Sequence, residues 1–148
     1  MLLAGGTGIT PMYQIASVAL RNAANKTHVT LLSFSKHDQD ACLYQELIDL
    51  QGQAVHRHHS APSSSVATPV SSPLNLKFLA GELSADAREG FVKGSVRSLN
   101  AQQLFELIGA PVSETTVFCM CGPRDWITAT QRLLKHGGVH DSHMLAWV

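Results

Sequence analysis

Residues 2–12 read LLAGGTGITPM, an apolar run that leads into a glycine-rich turn. The apolar residues 2–4 predict the end of a buried strand, and residues 5–8 predict a turn. Thr10 is expected to cap a helix, because its hydroxyl can accept a backbone N–H of the first helical turn. Pro11 would then occupy the first helical position, where its missing N–H costs nothing. The stretch therefore predicts a strand–turn–helix unit.

The same alternation of apolar strands and helices continues along the chain. Further strands are predicted at residues 28–34, 54–59, 116–121 and 144–148, and helices at residues 11–22, 42–50, 101–108 and 126–135. Asn100 is expected to cap the third of these helices. Strands that alternate with helices favour βαβ units with right-handed crossovers. We therefore predict an α/β fold: a doubly wound, mostly parallel five-stranded sheet with helices on both faces.

Residues 60–93 interrupt this alternation. Six of the fourteen residues 60–73 are serine and three are proline, a composition typical of a flexible loop. Residues 74–90 are ambiguous. We therefore expect a flexible insertion at 60–93 within one domain that spans residues 1–148.

Length and composition exclude several classes of function. The chain has 148 residues, 45% of them apolar, so it can bury the core of one ordinary domain. Its eleven basic and eleven acidic side chains balance, which argues against nucleic acid or an anionic membrane as a partner. No apolar run approaches the length of a membrane span, and no signal peptide is recognisable. Three cysteines, an odd number, are expected to be reduced, which favours an intracellular location, in the cytoplasm or on the cytoplasmic face of a membrane.

The glycine-rich turn is the first candidate binding site. Gly6 and Gly8 would let the backbone approach a ligand, because no Cβ stands in the way. The N–H groups and the positive end of the following helix suit a pyrophosphate, and Thr7 and Thr10 could add hydroxyl donors. The alternative is that a tight turn between strand and helix simply needs glycine.

A second candidate lies at Cys121, Gly122 and Pro123, which follow a predicted buried strand. Ligands of parallel sheets bind at the carboxyl ends of the strands, and a thiol there could pack against a flat ring. The alternative is that Cys121 is a small buried apolar residue, the usual state of a free cysteine. We expect Cys119 and Cys121 to project to opposite faces of their strand and to form no disulfide.

Taken together, these motifs resemble the NAD(P)-binding half of the ferredoxin–NADP reductase superfamily, and most of all NADH–cytochrome-b5 reductases. The GGTGITPM loop of that family is identical to residues 5–12, and its Met-Cys-Gly-Pro strand end matches residues 120–123. The family pattern Asp-x-x-Leu-x-x-Glu-Leu matches Asp40, Leu43, Glu46 and Leu47. The resemblance covers most of the chain outside residues 60–93.

The resemblance implies a set of cofactor-binding residues. In chain order they are Gly5, Gly6, Thr7, Gly8, Thr10, Pro11, Phe34, Ser35, Lys36, Asp40, Cys121, Gly122, Pro123 and Trp147. Residues 5–11 would hold the pyrophosphate, residues 34–36 would lie beside the adenosine ribose, and residues 121–123 would lie at the nicotinamide end. Gly8 is expected to face the pyrophosphate, so that a side chain there would block binding with little loss of fold.

The resemblance also implies a preference for NADH over NADPH. Asp40 is the implied acidic residue, since a carboxylate near the ribose 2′-position repels a 2′-phosphate. The segment between Phe34 and Asp40 is one residue shorter than in the family, so Asp38 competes for this role. Lys36 acts in the opposite sense, because a lysine could pair with the phosphate.

Two aromatic residues depart from the family pattern. The terminal residue of the family is commonly aromatic and lies near the flavin, whereas here Trp147 precedes a terminal valine. Trp126 stands where the family often has methionine; it is interpreted as a core residue, with a place beside the ligand as the alternative. The histidines at 56, 58 and 59, and those at 136, 140 and 143, are interpreted as solvated loop residues rather than as a metal site.

The implied activity is that of an NADH-dependent flavoprotein oxidoreductase, in which no residue of this chain needs to act as acid or base. Hydride would pass from NADH to FAD, and electrons would pass on to a haem or iron–sulfur acceptor such as cytochrome b5. The family's N-terminal FAD-binding barrel, with its Arg-x-Tyr-Ser/Thr motif, does not occur in this sequence. We therefore expect a fragment or truncated gene product that needs the FAD domain of the same protein and meets a membrane only through that N-terminal region. The alternative is a free-standing, non-catalytic nucleotide-binding module.

Overall fold

A computed structural model describes residues 1–21, 27–59, 72–109 and 112–148, with the backbone alone at 57–59. The strands are β1 (Leu2–Gly5), β2 (Val29–His37), β3 (Leu74–Glu82), β4 (Phe91–Lys93), β5 (Phe118–Cys121) and β6 (Met144–Trp147). The α-helices are α1 (Ile9–Ala19), α2 (Tyr44–His59), α3 (Ala101–Ile108) and α4 (Arg124–His136).

All neighbouring strands pair in parallel, in the order β4-β3-β2-β1-β5-β6. The chain runs outward from β1 to β4 and then returns to the other side of β1 as β5. The strand order therefore reverses between β1 and β5. In open parallel sheets ligands bind at such a point, at the carboxyl ends of the strands.

Helices cover both faces of the sheet, because buried strands alternate their side chains between two cores. Leu2 and Ala4 of β1 point into a core shared with α1 and α2, the α1/α2 core. Leu3 points into a core shared with α3 and α4, the α3/α4 core. Leu3 is fully buried, and burial of a leucine side chain contributes about 1.5–3 kcal/mol to folding. The doubly wound parallel sheet is thus confirmed, with six strands instead of five.

Helix starts follow the expectation at α3 but not at α1. Asn100 caps α3, accepting from the Gln103 backbone N–H while the Gln103 side chain accepts from the Asn100 N–H. In α1, Thr10 is the second helical residue and no side chain caps the helix, so the expected Thr10 cap is wrong. Pro11 is third in the helix, which is tolerated because the first N–H groups of a helix have no internal partner.

Two expectations about secondary structure need correction. Residues 54–59 are the end of α2 rather than a strand, because Ala54 is buried on the same helical stripe as Leu47 and Leu50. Part of the expected insertion belongs to the sheet: residues 74–82 form β3, which pairs with β2 over most of its length, and residues 91–93 form β4 at the sheet edge. Residues 60–71 of the expected insertion lie outside the described residues.

The cysteines are unpaired, although their placement differs from the expectation. Cys119 and Cys121 are two positions apart on β5 and therefore share one face, where both pack against the α1/α2 core. Burial raises the pKa of the Cys119 thiol, while Cys42 is exposed. Within the described residues, no helix is both long and apolar enough to cross a bilayer.

Candidate functional site

The two glycine motifs meet where the strand order reverses. Ala4 of β1 and Cys121 of β5 are paired in the sheet, so Gly5 and Gly122 leave neighbouring strands side by side. A Cβ on Gly122 would lie 3.1 Å from the Cα and the carbonyl oxygen of Gly5. The turns after β1 and β5 therefore contact each other through their backbones.

Gly8 holds these turns together. It is buried, and a Cβ on it would overlap the Cys121 carbonyl group and come within 2.8 Å of the Gly122 nitrogen. The expectation that a side chain at Gly8 would leave the fold intact is therefore wrong. Gly8 faces the neighbouring turn, and its lack of a side chain is a requirement of backbone packing.

Trp126 fills the space beside the two turns. Cβ atoms on Gly5 and Gly122 would come within 2.6 Å and 3.0 Å of its indole ring. The ring also meets Phe34 edge-on, with 5.5 Å between centroids, as part of the α3/α4 core. Its Nε1 is buried and has no hydrogen-bond partner in the described part of the chain. The structure thus favours the interpretation of Trp126 as a packing residue, and Phe34 lies buried beneath it.

Gly6 presents the open side of the loop. Its φ is +57°, a conformation that glycine adopts readily, and no atom lies within 4 Å of the position a Cβ would take. Thr7 and Thr10 are exposed beside it, and Pro11 is half-buried. The first turn of α1 contains no acidic residue, so nothing there opposes its positive end. These features fit a pyrophosphate group.

The segment expected beside the adenosine ribose, residues 34–36, lies where β2 extends past β1. Phe34 pairs with Gly5, the last residue of β1, and β2 continues for three further residues to His37. Ser35 is half-buried and its hydroxyl donates to the Leu79 carbonyl at 3.4 Å, while Lys36 is exposed. The extension forms a shelf beside the glycine loop.

The next turn separates the two candidate acidic residues. Asp38 is buried and accepts hydrogen bonds from the backbone N–H and the hydroxyl of Ser84, at 2.8 Å and 2.7 Å. These bonds, together with the charge of Arg88, hold the pKa of Asp38 below its usual value. Asp40 is exposed two residues later. The geometry therefore favours Asp40 as the acidic residue that can face a ligand.

Sequence reasoning missed the residues that support this turn. Ser84 was hidden in the expected insertion and gives no motif of its own. Leu43 has a φ of +57°, the left-handed region that a leucine rarely occupies. A leucine in the sequence carries no signal of this strain, so only the structure reveals it.

The turn expected at the nicotinamide end, residues 121–123, is bordered by β6. Cys121 is half-buried and pairs in the sheet with Trp147, whose side chain is 45% exposed. Leu145 and Val148 on either side of Trp147 are also exposed. The end of β6 therefore presents an apolar surface next to the Cys121 turn.

A cavity of about 840 Å³ lies at the opposite end of the sheet, at the amino ends of the strands. It is lined by residues at the amino ends of the strands, among them Met1, Thr30, Val117 and Cys119. It contains none of the predicted site residues. No cluster of three or more histidine, cysteine, aspartate or glutamate side chains that could hold a metal occurs within the described ranges.

Comparison with known proteins agrees with this geometry. The sequence model of a family described as "Oxidoreductase NAD-binding domain" matches residues 2–132. NADH-cytochrome b5 reductase 2 of Botryotinia fuckeliana is 50% identical over 50 residues, which are 34% of this chain and 14% of that protein. NADH-cytochrome b5 reductase 1 of Candida glabrata is 50% identical over 52 residues, 35% of this chain and 18% of that protein. The chain therefore matches only a small part of these relatives.

Solved structures share the whole fold. The cytochrome b5 reductase domain of Ulva prolifera nitrate reductase has a TM-score of 0.74 and 20% identity, over 99% of this chain and 48% of that one. The structure of the CS-b5R domains of human Ncb5or, in an NAD⁺ form, has a TM-score of 0.73 and 22% sequence identity. The match covers 99% of this chain and 36% of that one. Their other parts have no counterpart in these 148 residues.

The family match covers most of the chain, and the fold and the two turns agree with it. The resemblance to the ferredoxin–NADP reductase superfamily is thus confirmed. This chain belongs to the oxidoreductase NAD-binding domain family.

Proposed function

We propose that the chain binds NADH for a flavin-dependent oxidoreductase of the NADH–cytochrome-b5 reductase type. The observation that carries the proposal is the contact between the Gly8 loop and the Cys121 turn at the reversal of strand order. Loops that meet at this point form the crevice in which parallel sheets bind nucleotides. The names of the curated relatives support NADH as the nucleotide.

The nucleotide would lie across the carboxyl ends of the strands. Gly6, Thr7 and the positive N-terminal end of α1 would hold the pyrophosphate, because Gly6 and Thr7 are exposed and the space beside Gly6 is open. The adenosine ribose would lie on the β2 shelf near Asp40. The nicotinamide would then lie near Cys121, whose half-buried thiol could contact the flat ring.

NADH supplies the chemistry, a hydride from C4 of its nicotinamide ring. The residues of this chain bind and orient it, and no side chain at the site is placed as an acid or base. The sequence contains no Arg-x-Tyr-Ser/Thr flavin motif. We propose that another domain holds the flavin and packs against the apolar surface of Leu145, Trp147 and Val148. A haem or iron–sulfur protein such as cytochrome b5 would accept the electrons.

Two measurements test this function. The first is calorimetric titration of the chain with NADH, for which we expect one site per chain. The second adds the separately expressed flavin domain of an NADH–cytochrome-b5 reductase and follows ferricyanide reduction. A Trp147→Ser variant should retain NADH affinity and lose reduction rate, because the substitution removes part of the proposed contact with the flavin domain.

The outcomes distinguish the proposal from its alternative. No NADH binding would contradict the proposal altogether. NADH binding without any reduction, over a wide range of flavin-domain concentrations, would instead support a non-catalytic nucleotide-binding module.

A further inference from the structure

Asp38 uses both carboxylate oxygens to hold a distant segment. Oδ1 accepts from the Ser84 backbone N–H and Oδ2 from the Ser84 hydroxyl. Asp38 follows β2 directly and Ser84 follows β3, so the pair joins the ends of two adjacent strands. A carboxylate that accepts two short hydrogen bonds inside the protein has little freedom to turn toward a ligand.

A second tie joins the same two segments a few residues further on. Tyr44, at the start of α2, donates its hydroxyl proton to the Glu89 carbonyl at 3.0 Å. Its ring packs against Phe78 at 4.8 Å, and the Arg88 guanidinium lies 5.0 Å from the ring centroid. The connection between β3 and β4 is therefore bound at both ends to residues 38–44.

The backbone between these two ties is strained. Leu43 occupies the left-handed region at a φ of +57°, which is costly for a residue with a Cβ. Such a conformation persists only when the surrounding contacts determine it, and strain of this kind is concentrated at ligand sites. Leu43 packs against the α1/α2 core, and its carbonyl accepts the first N–H bond of α2, from Leu47.

Asp40 lies within this held turn. It is exposed in the short 3₁₀ turn Asp38–Asp40, and the exposed Cys42 thiol donates to its carbonyl at 3.6 Å. The Asp40 carboxylate has no side-chain partner within the part of the chain that the structure describes. Its position therefore depends on the backbone of the turn.

We propose that Asp38 is a positioning residue for nucleotide selection: by holding Ser84 it fixes the 38–40 turn and keeps the Asp40 carboxylate at the 2′-position of the adenosine ribose. The inference rests on the proposed NADH function. The Asp38–Ser84 pair would thus help the protein to discriminate against NADPH, although neither residue would contact its 2′-phosphate.

The decisive variant is Ser84→Ala, because it changes no charge. The dissociation constants of NADH and NADPH are measured by calorimetry for the wild type, Ser84→Ala, Asp40→Ser and the double variant. We expect Ser84→Ala to reduce the preference for NADH at least threefold, with NADH affinity changed by less than twofold. In the Asp40→Ser background the same substitution should leave the ratio unchanged, because no carboxylate remains to be misplaced. Ser84→Thr should restore the wild-type ratio.

The control is Ser98→Ala, which removes a serine hydroxyl that bonds only within its own loop, to Ser95. The inference would be overturned if Ser84→Ala left the ratio of the NADPH and NADH dissociation constants unchanged. It would also be overturned if the substitution changed that ratio equally in the Asp40→Ser background. If Ser84→Ala does not fold, as judged by circular dichroism, Ser84→Cys gives the same comparison with a weaker donor. A wild type that binds neither nucleotide would instead contradict the proposed function.

Discussion

The Cys121 carbonyl group occupies the place where a β-carbon on Gly8 would lie. The loop after β1 and the turn after β5 thus pack backbone against backbone at the point where the strand order reverses. Glycine at position 8 is required for this contact before any ligand binds. One residue of the proposed nucleotide-binding loop is therefore required for the packing of the fold.

Gly8→Ala should destabilise the fold by about 1–3 kcal/mol, because overpacking forces backbone and side chains to shift. Thermal or urea unfolding followed by circular dichroism measures the loss. The matched control is Gly52→Ala in α2, where nothing lies within 4 Å of the new Cβ. There we expect a gain of about 0.5–1 kcal/mol, because alanine favours the helix interior. Equal stability of the two variants would contradict this account of Gly8.

Gly6→Asn should separate binding from stability. Asparagine tolerates a left-handed backbone, and the new side chain would extend into open space, so folding should change by about 1 kcal/mol or less. Because that space is the proposed pyrophosphate site, NADH affinity should fall at least tenfold, which corresponds to about 1.4 kcal/mol.

Gly138→Asn is the control for this loss of affinity. Its φ is +88°, no atom lies within 4 Å, and it lies after the far end of α4. Calorimetry should show wild-type NADH affinity for Gly138→Asn. The proposed pyrophosphate site would be wrong if both variants bound NADH like the wild type.

Asp40→Ser should narrow the preference for NADH over NADPH by about tenfold. A carboxylate several ångströms from the 2′-phosphate of NADPH makes the binding of NADPH less favourable by about 1–2 kcal/mol at a surface dielectric. NADH affinity should stay within about twofold, since the 2′-hydroxyl is uncharged. Lys36→Ala should have the opposite effect, a weaker affinity for NADPH.

The control is Asp49→Ser, which removes an exposed carboxylate further along α2. If Asp49→Ser changed the preference for NADH over NADPH as much as Asp40→Ser does, the effect would come from the net charge of the chain and not from the position of Asp40. If Asp40→Ser leaves the ratio unchanged, acidic repulsion at this residue is not the basis of selection.

The lowered pKa of Asp38 predicts that the stability of the fold depends on pH. Its folded pKa lies below its unfolded value, because hydrogen bonds from Ser84 favour the charged form. Its contribution is therefore fully present above the unfolded pKa and is lost as pH falls through the folded pKa. The difference in Tm between the wild type and Ser84→Ala should be largest near neutral pH and should shrink below about pH 4. A difference that stays constant down to about pH 2 would contradict this role of the Asp38 charge.

Much of the fold follows from local patterns. The GGTG loop, the Cys-Gly-Pro turn and the Asn100 cap each combine a residue type with a backbone requirement, and each lies where the sequence places it. The parallel sheet follows from the alternation of strands and helices.

The errors have identifiable physical causes. β3 was missed because Asn75 and Lys77 interrupt the apolar run that marks a buried parallel strand. Residues 54–59 were too short a segment to distinguish the end of a helix from a strand, and burial of Ala54 against the α1/α2 core settles it.

Within the candidate site, the sequence identified the loops but not which atoms face the ligand. Whether Gly6 or Gly8 is open depends on the backbone of β5, far along the chain. Whether Asp38 or Asp40 is free depends on Ser84, 46 residues beyond Asp38. These are tertiary contacts, which no local pattern records.

The central claim is that a dinucleotide binds at the carboxyl ends of β1 and β5. Backbone amide chemical shifts of the ¹⁵N-labelled chain, recorded during titration with NAD⁺, test it most directly. We predict that the largest chemical-shift changes occur at Gly6, Thr7 and Gly122. Only small changes are expected for residues at the amino ends of the strands. Largest changes at Thr30 and Val117, which line the cavity at the amino ends of the strands, would contradict the account.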